Sequence, residues 1–191
     1  MKKKILYIAA IVICLSILAG GSMAYFTATE TARNVIDSGG ISIEILEQQL
    51  VDGQLKPWPD EAIPVMPTSK VSKIVSFRNL EQTAWIRADY TFTVYDADGK
   101  VMDISDQELA RVILIAPNSN AWAYKDGWWY HKNPVAGGVT TTPLFEEVVF
   151  SGPNMDNKYQ NSTVVVDVTV QAVQKANNGT TYAEALGWPQ N

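Results

Sequence analysis

The sequence predicts an all-β fold, an antiparallel β-sandwich with one or two short helices, preceded by a cleavable N-terminal signal helix. Between Ala84 and Tyr95, apolar and polar residues alternate, which is the pattern of a strand with one buried face. Two-residue Asp-Gly turns separate other short strand-like runs, as expected of antiparallel hairpins. An apolar run behind three lysines near the amino end is typical of a secretion signal.

The apolar run Ile5 to Ala19 is 15 residues long. As a helix it would extend about 22 Å, less than the ~30 Å hydrocarbon core of a bilayer. Small residues then precede the Ala24–Tyr25 bond, where we expect cleavage by a signal peptidase. The alternative is an uncleaved signal that anchors the chain in the membrane. Both alternatives place residues 25–191 outside the cell, because the lysines hold the amino end in the cytoplasm.

The chain therefore divides into a signal peptide at residues 1–24, a flexible segment at 25–39 and a β-sandwich domain at 40–191. Removing 24 of the 191 residues leaves 167, which is the size of one domain. The formal net charge of −5 becomes about −8, since the signal peptide carries three lysines and no acidic residue. Nucleic acid and anionic lipid both need a basic face, so neither is the expected partner.

The segment at residues 25–39 has no sustained apolar period and cannot bury enough surface by itself to become ordered. It is either a frayed N-terminus or a donor strand that adds to the open sheet edge of a neighbouring molecule. As a donor strand it would place Tyr25, Phe26 and either Val35 or Ile36 in pockets of the acceptor. Such a head-to-tail contact does not close on itself, so it predicts a filament.

The sandwich begins at Ile41, from which apolar and polar residues alternate to Ile45. An Asp52-Gly53 turn follows. Four prolines between residues 57 and 67 then predict an extended loop rather than a central strand, because proline cannot donate a backbone hydrogen bond. In that loop Trp58 either stacks on a sugar or folds over the core.

Val71 to Arg78 and Ala84 to Tyr95 form the clearest pair of strands, connected by residues 79–83. In the second strand, five residues share the face that we expect to be buried: Ile86, Ala88, Tyr90, Phe92 and Val94. Thr163 to Val173 is predicted to be the longest strand. Its valines alternate along one face, and apolar residues also occur on the other, which favours a central position in a sheet.

The stretch Asp96 to Gly99 has residues found in calcium loops but lacks their ligand spacing, so we expect a hairpin turn there. A capping box at Ser105 and Glu108 predicts a short helix, followed by a brief strand over residues 112–116. One further helical turn is expected at residues 182–187.

The strongest hairpin signal joins Asn120–Lys125 to Trp128–Lys132 through Asp126-Gly127. We expect cross-strand pairs among four of its aromatic residues, Trp122, Tyr124, Trp128 and Tyr130. The aromatic side chains either form a surface patch that binds carbohydrate or cover one end of the core. The candidate surface patch consists of Trp122, Tyr124, Trp128, Trp129 and Tyr130.

Two stretches at opposite ends of the chain resemble the TasA and camelysin family of bacterial matrix proteins. The first runs from Gly20 to Thr27 and continues, after a polar spacer holding Asn34, with Ser38 to Ile43. The second is Asn157 to Ser162, which leads into the valine-rich strand and its closing Gln171-Ala172-Val173-Gln174. Between them only the pattern of strands is similar.

The resemblance implies a sandwich of jelly-roll type, cleavage by a dedicated, non-housekeeping signal peptidase, and assembly into extracellular fibres of a Gram-positive biofilm matrix. The partner would be another copy of the chain or a related matrix protein. No second apolar span follows the signal peptide, so only an uncleaved signal would tie the protein to the membrane.

The sequence offers little for catalysis. His131 is the only histidine, and Cys14, the only cysteine, leaves with the signal peptide. We therefore expect no disulfide, no metal site, no cofactor and no catalytic residue. The main prediction is a structural matrix protein and not an enzyme. Its alternatives are a cell-surface adhesin that binds glycans and, because the camelysin branch has been described as metalloprotease, a camelysin-like protease.

Overall fold

The computed structural model describes residues 26–33, 41–59, 63–65 and 67–189. These residues form eleven strands and one α-helix, with two short 3-10 helices at Gly152–Asn154 and Asn157–Tyr159. In chain order the elements are β1 (Phe26–Arg33), β2 (Ile43–Val51), β3 (Gln54–Pro57), β4 (Ile63–Val65), β5 (Lys70–Asn79), β6 (Ala84–Tyr95), α1 (Asp106–Val112), β7 (Ile113–Ile115), β8 (Trp122–Lys125), β9 (Trp128–His131), β10 (Phe145–Phe150) and β11 (Thr163–Gln174).

The strands pair into two sheets that pack face to face. Sheet A has the order β4-β1-β11-β6-β9-β8, and sheet B has the order β3-β2-β5-β10-β7. Among the described strands, the pairing of β1 with β11 is parallel and the named pairings between the others are antiparallel. Aromatic contacts join the two layers, such as Tyr90 of sheet A and Phe145 of sheet B with ring centroids 5.4 Å apart. The predicted all-β sandwich is therefore confirmed.

The core is built on the long pair β6 and β11, which align from Thr163 opposite Tyr95 to Gln174 opposite Ala84. Alternation along β6 places its predicted face inward, with Tyr90 and Phe92 partly buried and the other three residues fully buried. β11 lies between β1 and β6, so its predicted central position is also confirmed. It contributes five buried residues to the core: Val164, Val166, Val168, Val170 and Ala172.

The strands β5 and β6 do not pair with each other, although the sequence presents them as a pair. β5 belongs to sheet B and β6 to sheet A, so their connection crosses from one layer to the other. The buried Asn79 supports this crossing, because its side-chain amide donates to the carbonyls of Gln82 at 2.6 Å and Val135 at 2.8 Å. Each strand has one apolar face, and such a strand can pair with its neighbour in a hairpin or lie in the opposite sheet equally well.

The proline-rich stretch after β3 includes the short strand β4, which lies at the edge of sheet A, in agreement with the expectation that it is not central. Trp58 is 7% exposed, so it covers the core and offers no exposed ring to a sugar. The stretch Asp96 to Gly99 forms the expected turn, in which the Asp96 carboxylate accepts hydrogen bonds from the N–H groups of Asp98 and Lys100, both at 2.9 Å.

Helix α1 begins where predicted, since the Ser105 hydroxyl accepts a hydrogen bond from the Glu108 N–H at 3.3 Å. The Glu108 carboxylate contacts the second 3-10 helix: it pairs with Lys158 and accepts from the Tyr159 hydroxyl at 2.5 Å. These contacts hold the pKa of Glu108 below its usual value, and the hydrogen bond from Lys158 has the largest effect. The tail expected to be helical forms a turn at residues 182–184.

The segment preceding the sandwich contains strand β1, which lies between β11 and β4 in sheet A. Phe26 is its first residue. The signal peptide with its cleavage residues Ala24 and Tyr25, and the candidate anchors Val35 and Ile36, lie outside the described residues. No helix in the described part of the chain has the length and apolar character needed to span a membrane.

Candidate functional site

The aromatic hairpin β8–β9 turns at Asp126 and Gly127, whose φ angles of 50° and 84° are those of a type I′ turn. The turn fixes the register, so that Tyr124 faces Trp129 and Trp122 faces His131. Ring centroids are 5.0 Å apart in each of these pairs. The predicted hairpin and its two-residue loop are confirmed.

The aromatic pairs predicted within this hairpin are wrong in detail. A two-residue loop after Lys125 places even-numbered residues of β8 opposite odd-numbered residues of β9. Trp122 and Tyr124 therefore share a face with Trp129 and His131, while Trp128 and Tyr130 project from the opposite face of the ribbon.

The five aromatic residues do not form one surface patch. Trp122, Tyr130 and Trp128 are buried, at 1%, 6% and 9% exposed, while Trp129 is half-buried. Tyr124 alone among the five is well exposed, at 61%. Of the two interpretations of the hairpin, covering the core is the one that the burial supports.

On the inner face, Trp122 packs edge-on against Phe77 with ring centroids 5.6 Å apart, and its indole N–H donates to the Thr142 carbonyl at 3.1 Å. The neighbouring His131 donates through Nδ1 to the Asn133 carbonyl at 2.7 Å. Burial lowers the pKa of His131, and this hydrogen bond opposes the shift only in part. The histidine is thus neutral at pH 7 and held by the fold.

On the outer face, Trp128 and Tyr130 meet Arg87 of β6 and Trp188 of the C-terminal tail. The Arg87 guanidinium carbon lies 4.3 Å from the Trp128 ring centroid and 4.6 Å from that of Trp188. The rings of Tyr130 and Trp188 lie 5.5 Å apart, edge to face. These three aromatic side chains and Arg87 are called the arginine cluster below.

Every hydrogen-bond acceptor that Arg87 has in the described residues is neutral. Nε and Nη2 donate to Gln171 Oε1 at 2.8 and 2.6 Å, Nη1 donates to the Tyr130 hydroxyl at 3.0 Å, and Nη2 also donates to the Pro189 carbonyl at 3.3 Å. Sequence reasoning missed this cluster. The alternation of β6 does place Arg87 outward, but no local pattern indicates that the tail folds back onto it.

A groove of about 600 Å³ opens beside the arginine cluster. Arg87 and Trp128 form one wall, and the tail from Ala185 to Pro189 forms the other. Leu186 stands at this tail with 75% of its surface exposed.

A buried ion pair lies elsewhere, on the inner side of sheet B. Lys73 Nζ is 3.1 Å from Glu47 Oε1, and the two side chains are 2% and 5% exposed. Trp58 covers the pair, with Nζ 4.1 Å from its ring centroid. Each of the two charged residues lies on the inward-facing side of a strand in which apolar and polar residues alternate. This position is the one feature of the sequence from which the buried pair could have been predicted.

No three His, Cys, Asp or Glu side chains within the described ranges come together as a metal ion would require. His131, the only histidine, is enclosed by the core face of the hairpin. The described residues thus give no geometry from which a metal-dependent cleavage could be derived.

The pairing of β1 with β11 concerns the predicted donor strand directly. Seven residue pairs align in parallel, from Thr27 opposite Thr163 to Arg33 opposite Thr169. On its other side, within the described residues, β1 pairs with β4 through Phe26, Thr27 and Ala28. The segment expected to complete a neighbour's sheet is here a strand that completes sheet A of its own chain.

No protein-family model matches this sequence, and no curated protein matches it either. The resemblance to TasA and camelysin therefore stays a prediction.

Proposed function

We propose that this chain is a secreted structural protein of the extracellular matrix, which forms or joins fibres by passing β1 to a neighbouring molecule. The observation that carries the proposal is the parallel pairing of β1 with β11 in a sandwich whose other named pairings are antiparallel. A strand that is added beside the last strand of the fold can be supplied equally well by a second copy.

The acceptor in this proposal is the free edge that β11 would have without β1. Its backbone N–H and C=O groups would then be unpaired on one side, while β6 still holds it on the other. The valines of its inner face are already buried, so the incoming strand extends an existing core. Main-chain hydrogen bonds along seven residue pairs would supply most of the affinity.

The connection between β1 and the sandwich sets how far β1 can reach towards a neighbour. Residues 34–40 lie between Arg33 and Ile41, and seven extended residues reach up to about 25 Å. The donor strand β1 and the acceptor edge of β11 are different surfaces of the same molecule. Successive exchanges therefore add molecules head to tail, and the partner is another copy of the chain or a related matrix protein.

Cysteine cross-linking tests the exchange. The predicted mature chain has no cysteine, and Asp167 lies opposite Thr31 of β1 on one side and opposite Thr91 of β6 on the other. We expect fibres of the Thr31→Cys, Asp167→Cys double variant to give a ladder of covalent oligomers after oxidation. The matched control, Thr91→Cys with Asp167→Cys, should give only cross-linked monomers, because β6 and β11 stay in one chain.

Electron microscopy of the mature chain from Tyr25 shows whether fibres form at all. Monomers alone, at all protein concentrations tested, would contradict self-assembly. Fibres of the Thr31→Cys, Asp167→Cys variant in which every disulfide joins these two positions of the same chain would contradict strand exchange but not the structural role. Proteolysis of casein that a chelator abolishes would instead favour the camelysin-like alternative.

A further inference from the structure

We propose that the groove beside Arg87 binds a carboxylate-bearing sugar, a hexuronate unit of an acidic polysaccharide. This inference does not depend on fibre formation. It places carbohydrate binding in the groove between the hairpin and the C-terminal tail, and not on a single aromatic patch of the hairpin, whose five aromatic residues do not lie on one surface.

The charge of Arg87 is the first observation. Its guanidinium is half-buried between two indoles, and no carboxylate within the described residues lies at ion-pair distance from it. Gln171, Tyr130 and Pro189 orient it without neutralising it. An oriented arginine that keeps its full charge is a binding group for an anion.

The number of free donors selects the kind of anion. A guanidinium has five N–H donors, and the hydrogen bonds to the three neutral residues use four. Among the described residues, one N–H on Nη1 has no acceptor, which suits a single carboxylate oxygen. A phosphate group needs several convergent donors, and the groove has no second cationic side chain in its described lining.

The residues that line the groove indicate that the carboxylate belongs to a sugar. Trp188 and Pro189 are partly exposed and offer ring surface to the groove, whereas Trp128 is buried against Arg87. Aromatic surfaces with a few fixed polar groups are the usual lining of small-molecule sites. The apolar C–H face of a pyranose ring can pack on the exposed part of the Trp188 ring while its carboxylate reaches Arg87.

The size of the groove agrees with a short oligosaccharide. A volume of about 600 Å³ lies within the range of ligand sites, which is roughly 300 to 1,000 Å³. The net negative charge of the chain repels a polyanion, so a single site should bind weakly.

Binding of tetragalacturonate to the mature chain, followed by titration calorimetry, tests the proposal. The matched ligand is its methyl ester, which has the same rings without the charges, and we expect it to bind at least about tenfold more weakly. Trp188→Ala should weaken binding of the acid at least about tenfold, and Trp188→Phe should restore most of it. The control Tyr124→Ala removes an exposed ring of the same hairpin outside the groove and should change affinity less than about twofold.

Thermal unfolding of each variant establishes that it is folded, and the comparison of acid with ester needs no variant at all. Absence of tetragalacturonate binding, equal binding of acid and ester, or undiminished binding by Trp188→Ala would each overturn the site. Tetraglutamate is the competitor that tests the ligand class. Equal displacement by this peptide would overturn the assignment to a sugar.

Discussion

The hairpins β2–β3 and β8–β9 share the same turn but have opposite surroundings. Each turns at an Asp-Gly dipeptide, with φ angles of 53° and 76° at Asp52-Gly53 and of 50° and 84° at Asp126-Gly127. The first hairpin places Leu50 opposite Leu55, and both remain more than half exposed. The second places Trp122 opposite His131, and both are buried.

The difference shows that the turn fixes register and the rest of the fold decides burial. A type I′ turn determines which residues face each other across the two strands. It does not determine what packs on them: Phe77 of sheet B and the Thr142 carbonyl cover Trp122, and the leucine pair has no such cover among the described residues. The two hairpins should therefore respond alike to changes in the turn and differently to changes in the strands.

The largest expected difference comes from truncating one side chain in each hairpin. Trp122→Ala should lower the free energy of unfolding by about 3 to 5 kcal/mol, because it leaves a cavity in the core. Leu55→Ala, a truncation of an exposed side chain in the β2–β3 hairpin, should stay within about 0.5 kcal/mol of the parent. Urea denaturation measures both. Costs that agree within about 1 kcal/mol would show that the hairpins do not differ in this way.

The turns themselves should behave alike. Gly53 and Gly127 both have positive φ, and a Cβ added to either would meet no described atom within 4 Å. Alanine at either position should therefore cost about 1 to 2 kcal/mol through backbone strain alone. Thermal or urea unfolding of the two single variants checks this. A clearly larger cost at Gly127 would mean that the buried strands constrain their turn.

Lowering the pH should reduce the free energy of unfolding through the β8–β9 hairpin, by less than the substitutions above. Burial lowers the pKa of His131, so the unfolded chain binds more protons than the folded chain once the pH falls below about 6.5. The histidine's contribution to stability is complete above that pH and is lost as the pH falls towards its folded pKa.

Urea unfolding at about pH 7.5 and about pH 5 should therefore show a larger loss for the parent than for His131→Gln. Asp89 is a further titrating group, because its burial raises its pKa, but it is present in both proteins and cancels in the comparison. An equal pH dependence of the two proteins would show that His131 is not buried in its neutral form. The β2–β3 hairpin has no histidine, so a histidine contribution is specific to β8–β9.

Local pattern predicts the long strands and the Asp-Gly turns of this protein but not their partners, and it misses the short strand β4, whose region it predicts to be an extended loop. The alternation in β6 and the Asp-Gly turns act over two to twelve residues, and they appear in the structure as predicted. The partner of β5 could not be predicted, because one apolar face suits either sheet. The arginine cluster could not be predicted either, since Arg87 and Trp188 meet only through the packing of the tail.

The pairing of β1 with β11 has a consequence for the order of folding. The first described strand must pair with the last, so sheet A cannot close until nearly the whole chain has been made. Chains emerge amino end first, and contacts between distant residues form slowly. During that interval β1 can pair in its own chain with the short strand β4, while in the proposed exchange a finished neighbour that has lost its β1 offers the longer edge of β11. Under the proposed strand exchange, the time that β1 waits for β11 and the local protein concentration would then decide whether β1 pairs within its own chain or with a neighbour.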